Sequence, residues 1–165
     1  MIVSITGGTG FIGRGLVLDH LARGHTVRLL SRRSPKDAGL PDLVMWHRGD
    51  LSSSTMLLSF LEGADVLYHC AAEIRDESLM QEVNVEGTRR LVEAATGRIG
   101  RWVQLSSVGA YGSYSQGVVT ENSLLNPSGA YEVTKVEADA LVETAALGGA
   151  FEHVILRPSN VYSAE

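Results

Sequence analysis

A chain of 165 residues, 44% hydrophobic and 20% charged, is long enough for one domain with a sizeable core. A net charge of −5 without a basic run argues against a nucleic-acid partner, and no apolar stretch approaches the roughly 20 residues that cross a bilayer. Cys70 stands alone, which excludes an internal disulfide, and glycines interrupt the N-terminal apolar stretch too early for a secretory leader, so a cytoplasmic location is expected.

The first element is a β-branched run, Ile2 to Thr6, that ends in glycines and passes at once into a helical apolar pattern. Gly7, Gly10 and Gly13 have the three-glycine spacing of a dinucleotide fingerprint. The first permits a turn off the strand, the second lets a pyrophosphate approach bare backbone, and the third lets the helix lie close on the sheet. The helix N-terminus adds free N–H groups and a positive dipole end. Phe11, Ile12, Leu16, Val17, Leu18, Leu21 and Ala22 repeat at helical intervals up to a stop at Gly24.

Residues 26–30 read as a second strand, 31–35 as loop and 43–47 as a third strand. Residues 52–54 cap a helix running to Leu61. Residues 65–72 form a fourth strand, an apolar run of the kind buried on both faces of a parallel sheet, with Cys70 as a buried structural thiol. A long helix is expected over 76–96, a strand over 101–105, a functional loop over 109–127, a helix over 130–147 and a sixth strand over 151–156. Strands alternating with helices predict an α/β fold with a doubly wound parallel sheet, a three-layer αβα Rossmann arrangement over 1–165. The chain stops soon after its last strand, so the expectation is a cofactor domain lacking most of a substrate domain.

Three constellations fall at C-terminal strand ends, where such sheets bind ligands. Ser31-Arg32-Arg33 offers a hydroxyl and two guanidinium groups where an acidic residue would hold a ribose 2′-hydroxyl. Arg forks match phosphate oxygens, which points to the 2′-phosphate of NADP, against the alternative of a solvated basic loop. Asp50-Leu51 could accept an adenine amino group or cap the following helix, and Ala71-Ala72 leave space for ribose and pyrophosphate. Ser107, Tyr131 and Lys135 form the third group.

Tyr131 and Lys135 are one helical turn apart and share a face. A lysine cation favours phenolate and is expected to lower the tyrosine's pKa from ~10, while Ser107 could hydrogen-bond the substrate oxygen. With five tyrosines and two lysines, chance produces such a pair in roughly 6% of shuffled chains. Asn84, polar between Val83 and Val85, is either an exposed helix position or a brace for the active-site loop. The five histidines show no metal-ligand spacing, so no metal site is expected.

The segments TGGTGFIG (6–13), Asp50-Leu51, His69-Cys70-Ala71-Ala72, NVEGT (84–88), Ser106-Ser107 with Tyr111-Gly112, YEVTK (131–135) and RPSNVY (157–162) occur in the order seen in extended short-chain dehydrogenase/reductases. Within them the chain most resembles the NAD-dependent epimerase/dehydratase family, which acts largely on nucleotide sugars. The resemblance implies a bound nicotinamide dinucleotide, with Tyr131 as acid/base, Lys135 on the nicotinamide ribose and Ser107 orienting the substrate. It also implies cofactor contacts from Gly7, Gly10, Phe11, Ile12, Gly13, Asn84, Tyr131 and Lys135, with Pro158, Asn160 and Val161 on the nicotinamide side. Ser31, where many relatives have an acid, favours NADP over NAD; Ser163 replaces a glycine that commonly follows Val-Tyr. A homodimer through helices 76–96 and 130–147 is a further implication. The alternatives are an NADP-dependent carbonyl or alcohol reductase and a non-catalytic NADP-binding sensor or scaffold.

Overall fold

The computed structural model describes residues 1–112 and 117–162; Ser163 and part of the 109–127 loop lie outside them. Six strands run parallel: β1 (Ile2–Thr6), β2 (Thr26–Ser31), β3 (Met45–Arg48), β4 (Ala64–His69), β5 (Ile99–Leu105) and β6 (Glu152–Leu156). Their spatial order is β3-β2-β1-β4-β5-β6. The order reverses between β1 and β4, and the loops leaving these strands diverge to opposite sides and open a crevice.

Helix α1 (Phe11–Ala22) and the short α2 (Pro35–Ala38) lie on one face. Under them, Val3 and Ile5 pack with Val17, Val27 and Leu29. Helices α3 (Ser54–Leu61), α5 (Gly87–Ala95) and α6 (Ala130–Leu147) cover the other face. There Leu57, Phe60, Leu67, Leu91, Trp102 and Val142 are fully buried. Ser4 is buried on a central strand, and its hydroxyl donates to the Phe60 carbonyl at 2.9 Å, which satisfies the polar group. β3 and β6 are the edge strands; Val154 and Leu156 remain exposed on β6.

The departures from the sequence reading have local causes. The 31–35 loop runs into α2, because Ser34 accepts the Asp37 N–H and Pro35 takes the first helical position. β4 ends at His69, three residues early, because the chain from Cys70 onward leaves the ladder to cross the Gly7 turn. Cys70 is therefore half-buried beside the crevice and not a core thiol. The helix expected over 76–96 spans α4 (Glu77–Met80), a π turn (Gln81–Glu86) and α5. A π turn inside a helix frequently marks a functional site, and this one contains Asn84.

A buried hydrogen-bond chain joins β1, β4 and α5. The Thr88 hydroxyl donates to the Asn84 carbonyl at 2.6 Å, so it must accept from His69 Nε2 at 3.0 Å. His69 Nδ1 then accepts from the Thr6 hydroxyl at 2.6 Å, and Thr6 Oγ1 receives the Ala71 N–H at 3.2 Å. Each member needs the neutral Nε2–H tautomer of His69. Burial, with the Lys135 charge nearby, pushes the pKa of His69 down to about 3.

Two predictions follow from the packing and this chain. A Cβ on Gly13 would lie 2.4 Å from the Gly7 carbonyl oxygen, whereas one on Gly15 meets nothing within 4 Å. Gly13→Val should cost about 2–3 kcal/mol in urea unfolding, and Gly15→Ala should be neutral or stabilise by about 0.5–1 kcal/mol. The unfolded chain protonates histidine below pH ~6.5, but folded His69 resists until about 3. Its contribution is therefore complete above pH ~6.5 and declines as pH falls toward 3; His20 and His47, also lowered by burial, act in the same direction. Nitrogen-15 spectra at pH 5 should show His69 neutral with the proton on Nε2, and an imidazolium signal there would contradict the chain.

Candidate active site

A crevice of about 440 Å³ opens at the C-terminal ends of β1, β2 and β4. At its floor Gly7 has φ +68°, and a Cβ there would meet Ala71 N at 2.6 Å and Cys70 C at 2.7 Å. No other residue fits both the left-handed backbone and this crossing of chains. Gly8, unassigned by spacing, meets side chains instead of backbone: its Cβ would lie 2.3 Å from the Leu29 Cδ1 methyl. Gly13 brings α1 against the Gly7–Gly8 backbone, not against the strands as its spacing suggested. Gly10 is different. A Cβ on it meets only the Gly7 oxygen, at 3.2 Å, so its remaining surroundings are open. It also caps α1 without a side-chain hydrogen bond, which leaves first-turn N–H groups for a ligand.

Gly7, Thr9 and Gly10 form one end of the crevice, with Ala71 and Ala72 beside them. Ser31, Arg32, Asp50 and Leu51 form the other. Asp50 Oδ1 accepts the Ser52 N–H at 2.9 Å and its hydroxyl at 2.5 Å, and these bonds hold the carboxyl below its ordinary pKa, aided by Arg32 and Arg90. It makes this turn, while Ser53 takes the N-cap of α3. Arg33 does not reach the crevice wall; its backbone N–H is bound to Ser31 Oγ and its carbonyl accepts from Trp46 Nε1.

Arg90 was missed by spacing. It lines the crevice, donates through Nε to the Leu51 carbonyl at 2.8 Å and pairs with Glu82 at 2.6 Å. Its register on α5, seven residues beyond the crevice-lining Val83, was the only available signal.

Several expected contacts lie off this wall. Phe11 is 62% exposed, and Ile12 is half-buried. Asn84 is 2% exposed and is neither a solvated position nor a crevice residue. Its Oδ1 accepts the Glu73 N–H at 2.7 Å, and its Nδ2 donates to the Glu73 carbonyl at 3.0 Å and to Thr134 Oγ1 at 3.1 Å. The amide thus braces the loop after β4 against α6. Pro158 is tied to the next site by its carbonyl, which accepts the Val108 N–H at 3.0 Å; Asn160 and Val161 are exposed beyond it.

Ser107 stands at the end of β5, where its Oγ accepts the Gly109 N–H at 3.1 Å and caps a 3-10 turn, Val108–Tyr111. Tyr131 and Lys135 occupy the first turns of α6, half-buried and 2% exposed respectively. The buried Lys135 charge lowers the pKa of His69 and opposes the rise at Cys70, both at the end of β4. Burial pushes the Cys70 thiol up to about 11 despite that cation.

The expected lowering of the Tyr131 pKa is corrected by the structure. Burial, then the Glu132 and Asp139 carboxylates, raise it above its ordinary value. Burial lowers Lys135, and Asp139 and Cys70 oppose that lowering.

The open cradle at Gly10, the free helix N-terminus, the small Ala71-Ala72 wall and the Ser31–Arg32 edge fit an extended dinucleotide, pyrophosphate at the glycines and adenosine ribose at Arg32. Among the described residues no cluster of histidine, cysteine and carboxylate could hold a metal, and no helix is long and apolar enough to cross a membrane.

Comparison with known proteins agrees with this geometry. The chain is 40% identical over 154 residues to sterol demethylase protein B of Methylococcus capsulatus, covering 87% of this chain and 47% of that protein. It is 38% identical over 112 residues to ceramide reductase of Caulobacter vibrioides, covering 66% of this chain and 35% of that protein. It thus spans about half, or less, of the length of these relatives. The crystal structure of UDP-glucuronic acid 4-epimerase from Bacillus cereus in complex with NAD superposes with a TM-score of 0.83 at 27% identity, over 98% of this chain and 57% of that one. The profile of the NAD-dependent epimerase/dehydratase family matches residues 3–165, and the chain belongs to that family.

Proposed function

We propose that this chain is the cofactor-binding part of an enzyme that moves hydride between a nicotinamide dinucleotide and a secondary alcohol or ketone, with Tyr131 as acid/base. The observation that carries this reading is the pairing of the open glycine-floored crevice with Ser107 at the end of β5 and with Tyr131 and the buried Lys135 one turn apart at the start of α6. Bound, the cofactor would supply a hydride acceptor or donor and, when oxidised, a positive ring charge.

The chain's own residues do the rest. Gly7, Gly10 and the start of α1 receive the pyrophosphate on backbone N–H groups. Ser107 donates to the substrate oxygen and fixes its direction. Tyr131, protonated at neutral pH because burial and two carboxylates raise its pKa, gives its proton to a forming alkoxide or recovers one from an alcohol. Lys135 stabilises the phenolate left behind. Tyr131→Phe should lower turnover by about 100-fold or more with dinucleotide affinity nearly unchanged, as read by rapid mixing and calorimetry. Retained turnover would remove Tyr131 from the mechanism. Alcohol oxidation, which needs the phenolate, should accelerate as pH rises from 7 toward 10, while carbonyl reduction, which needs the protonated phenol, should stay flat over that range.

The first substrate reading is a nucleotide sugar, epimerised or dehydrated, supported by the likeness to the NAD-bound UDP-glucuronic acid epimerase. The second is reduction of a carbonyl on a lipid-like substrate, favoured by the higher identity to proteins named for sterol demethylation and ceramide reduction. Turnover assays with UDP-hexuronates against sterol and sphingoid ketones separate the two. Dinucleotide binding without turnover on either would instead favour a non-catalytic sensor or scaffold. A homodimer through the outer faces of 77–95 and α6 belongs to the same reading.

NADP is the preferred cofactor in this reading, because Arg32 lines the adenosine end and no acid stands at Ser31. Arg32→Ala should weaken NADP by about 10-fold or more and NAD by less than about 3-fold. Arg33→Ala should leave both within about 2-fold, since its side chain is not on the wall. Equal losses of NAD and NADP would show that Arg32 does not read the 2′-phosphate.

A further inference from the structure

Asp139 follows Lys135 by one turn on α6 and is 1% exposed. Its Oδ2 accepts from the Ser106 hydroxyl at 2.6 Å and from Arg157 Nη2 at 3.2 Å. Arg157 in turn donates through Nη1 to the Tyr111 hydroxyl at 3.2 Å, with its guanidinium carbon 5.3 Å from the centre of that ring. Each anchor adjoins a residue of the proposed machinery. Ser106 precedes Ser107, Arg157 precedes Pro158, and Asp139 shares a helix face with Lys135 and Tyr131.

The charge balance is what makes this more than a structural knot. Lys135 is 2% exposed, and a buried ammonium with no anion near it loses its proton readily. Tyr131 precedes it and Asp139 follows it by one turn on α6, and its charge also acts on neutral His69 and the Cys70 thiol at the end of β4. Among these groups Asp139 is the carboxyl; burial raises its pKa above the ordinary range, and the Ser106 hydroxyl, the Lys135 ammonium and Arg157 oppose that rise. Asp139 Oδ1 has no hydrogen-bond partner among the described residues. One buried carboxylate therefore serves two cations, the buried Lys135 and the partly exposed Arg157.

We infer that Asp139 is a positioning residue of this site, a buried carboxylate that keeps Lys135 cationic and ties the Ser107 and Pro158 strand ends to the helix bearing Tyr131. The inference rests on the assignment of Tyr131 and Lys135 as the acid/base pair, but its test does not require turnover. The chain has two lysines, Lys36 and Lys135, so carbon-13 labelling of lysine gives two ε-methylene signals to follow against pH.

In the wild-type chain Lys135 should remain charged at pH 7 and titrate well above it. In Asp139→Asn, which keeps an acceptor for Ser106 but removes the charge, its midpoint should fall by about one unit or more while Lys36 stays put. An unchanged Lys135 midpoint overturns the inference. A wild-type Lys135 already neutral at pH 7 does so too. Should Asp139→Asn fail to fold, the wild-type titration decides, because a lysine this buried needs an anion to titrate in the alkaline range. If Tyr131→Phe keeps full turnover while Lys135 still titrates as described, the acid/base reading fails and the Asp139 linkage stands.

Discussion

The crossing of the Gly7 turn over the backbone of Cys70 and Ala71 is the constraint on which the rest depends. A side chain at Gly7 would overlap Ala71 N, and the φ of +68° excludes most residues independently. Because the two chains pass this closely, α1 begins directly above the sheet end, and the first helical turn aims its N–H groups into the crevice. Gly13 repeats the device from the other side, by letting α1 lie on the turn itself. The crevice is thus a consequence of bare backbone at three positions, set where the strand order reverses.

Beneath this crossing the polar core is arranged by burial. Thr6, His69 and Thr88 lie among apolar side chains, with His69 edge-on to Trp102, and each finds a partner in a single directed chain. That chain holds the ends of β1 and β4 together below the crossing. It requires an uncharged imidazole, which the nearby Lys135 cation also favours. On the other side of Lys135 the Asp139, Ser106 and Arg157 cluster supplies the opposing charge. Two buried networks, one neutral and one ionic, therefore both feel the same ammonium charge. The difference between them follows from what each can reach: His69 finds only the hydroxyls of Thr6 and Thr88, while Asp139 receives a serine from the end of β5 and an arginine from the end of β6.

Much of the fold and part of the candidate site were legible because they depend on short-range pattern. Alternating strands and helices, the glycine spacing and the Tyr131–Lys135 turn are periodic or local, and α6 falls on the expected 130–147. What escaped were contacts between residues far apart in sequence. Arg33 and Arg32 are adjacent and chemically alike, yet of the two only Arg32 lines the crevice. Asn84 looked ambiguous because nothing local reveals that a π turn carries it between Glu73 and Thr134. Tyr131 was read from its lysine alone, and the environment that raises its pKa consists of burial and two carboxylates.

The sequence by itself determined the fold class, the glycine turn after β1 and the family, since these reside in glycines and motifs whose meaning depends on neighbours a few residues away. Only the tertiary structure decided which side chains work together. It brought Arg90 to the crevice, withdrew Asn84 from it to serve as a brace, and joined Asp139 to Ser106 and Arg157 across three elements. The physical reason is that desolvation and Coulomb interaction depend on distance in space and on exclusion of water. Both are set by packing, after the local pattern has already placed each residue on its strand or helix.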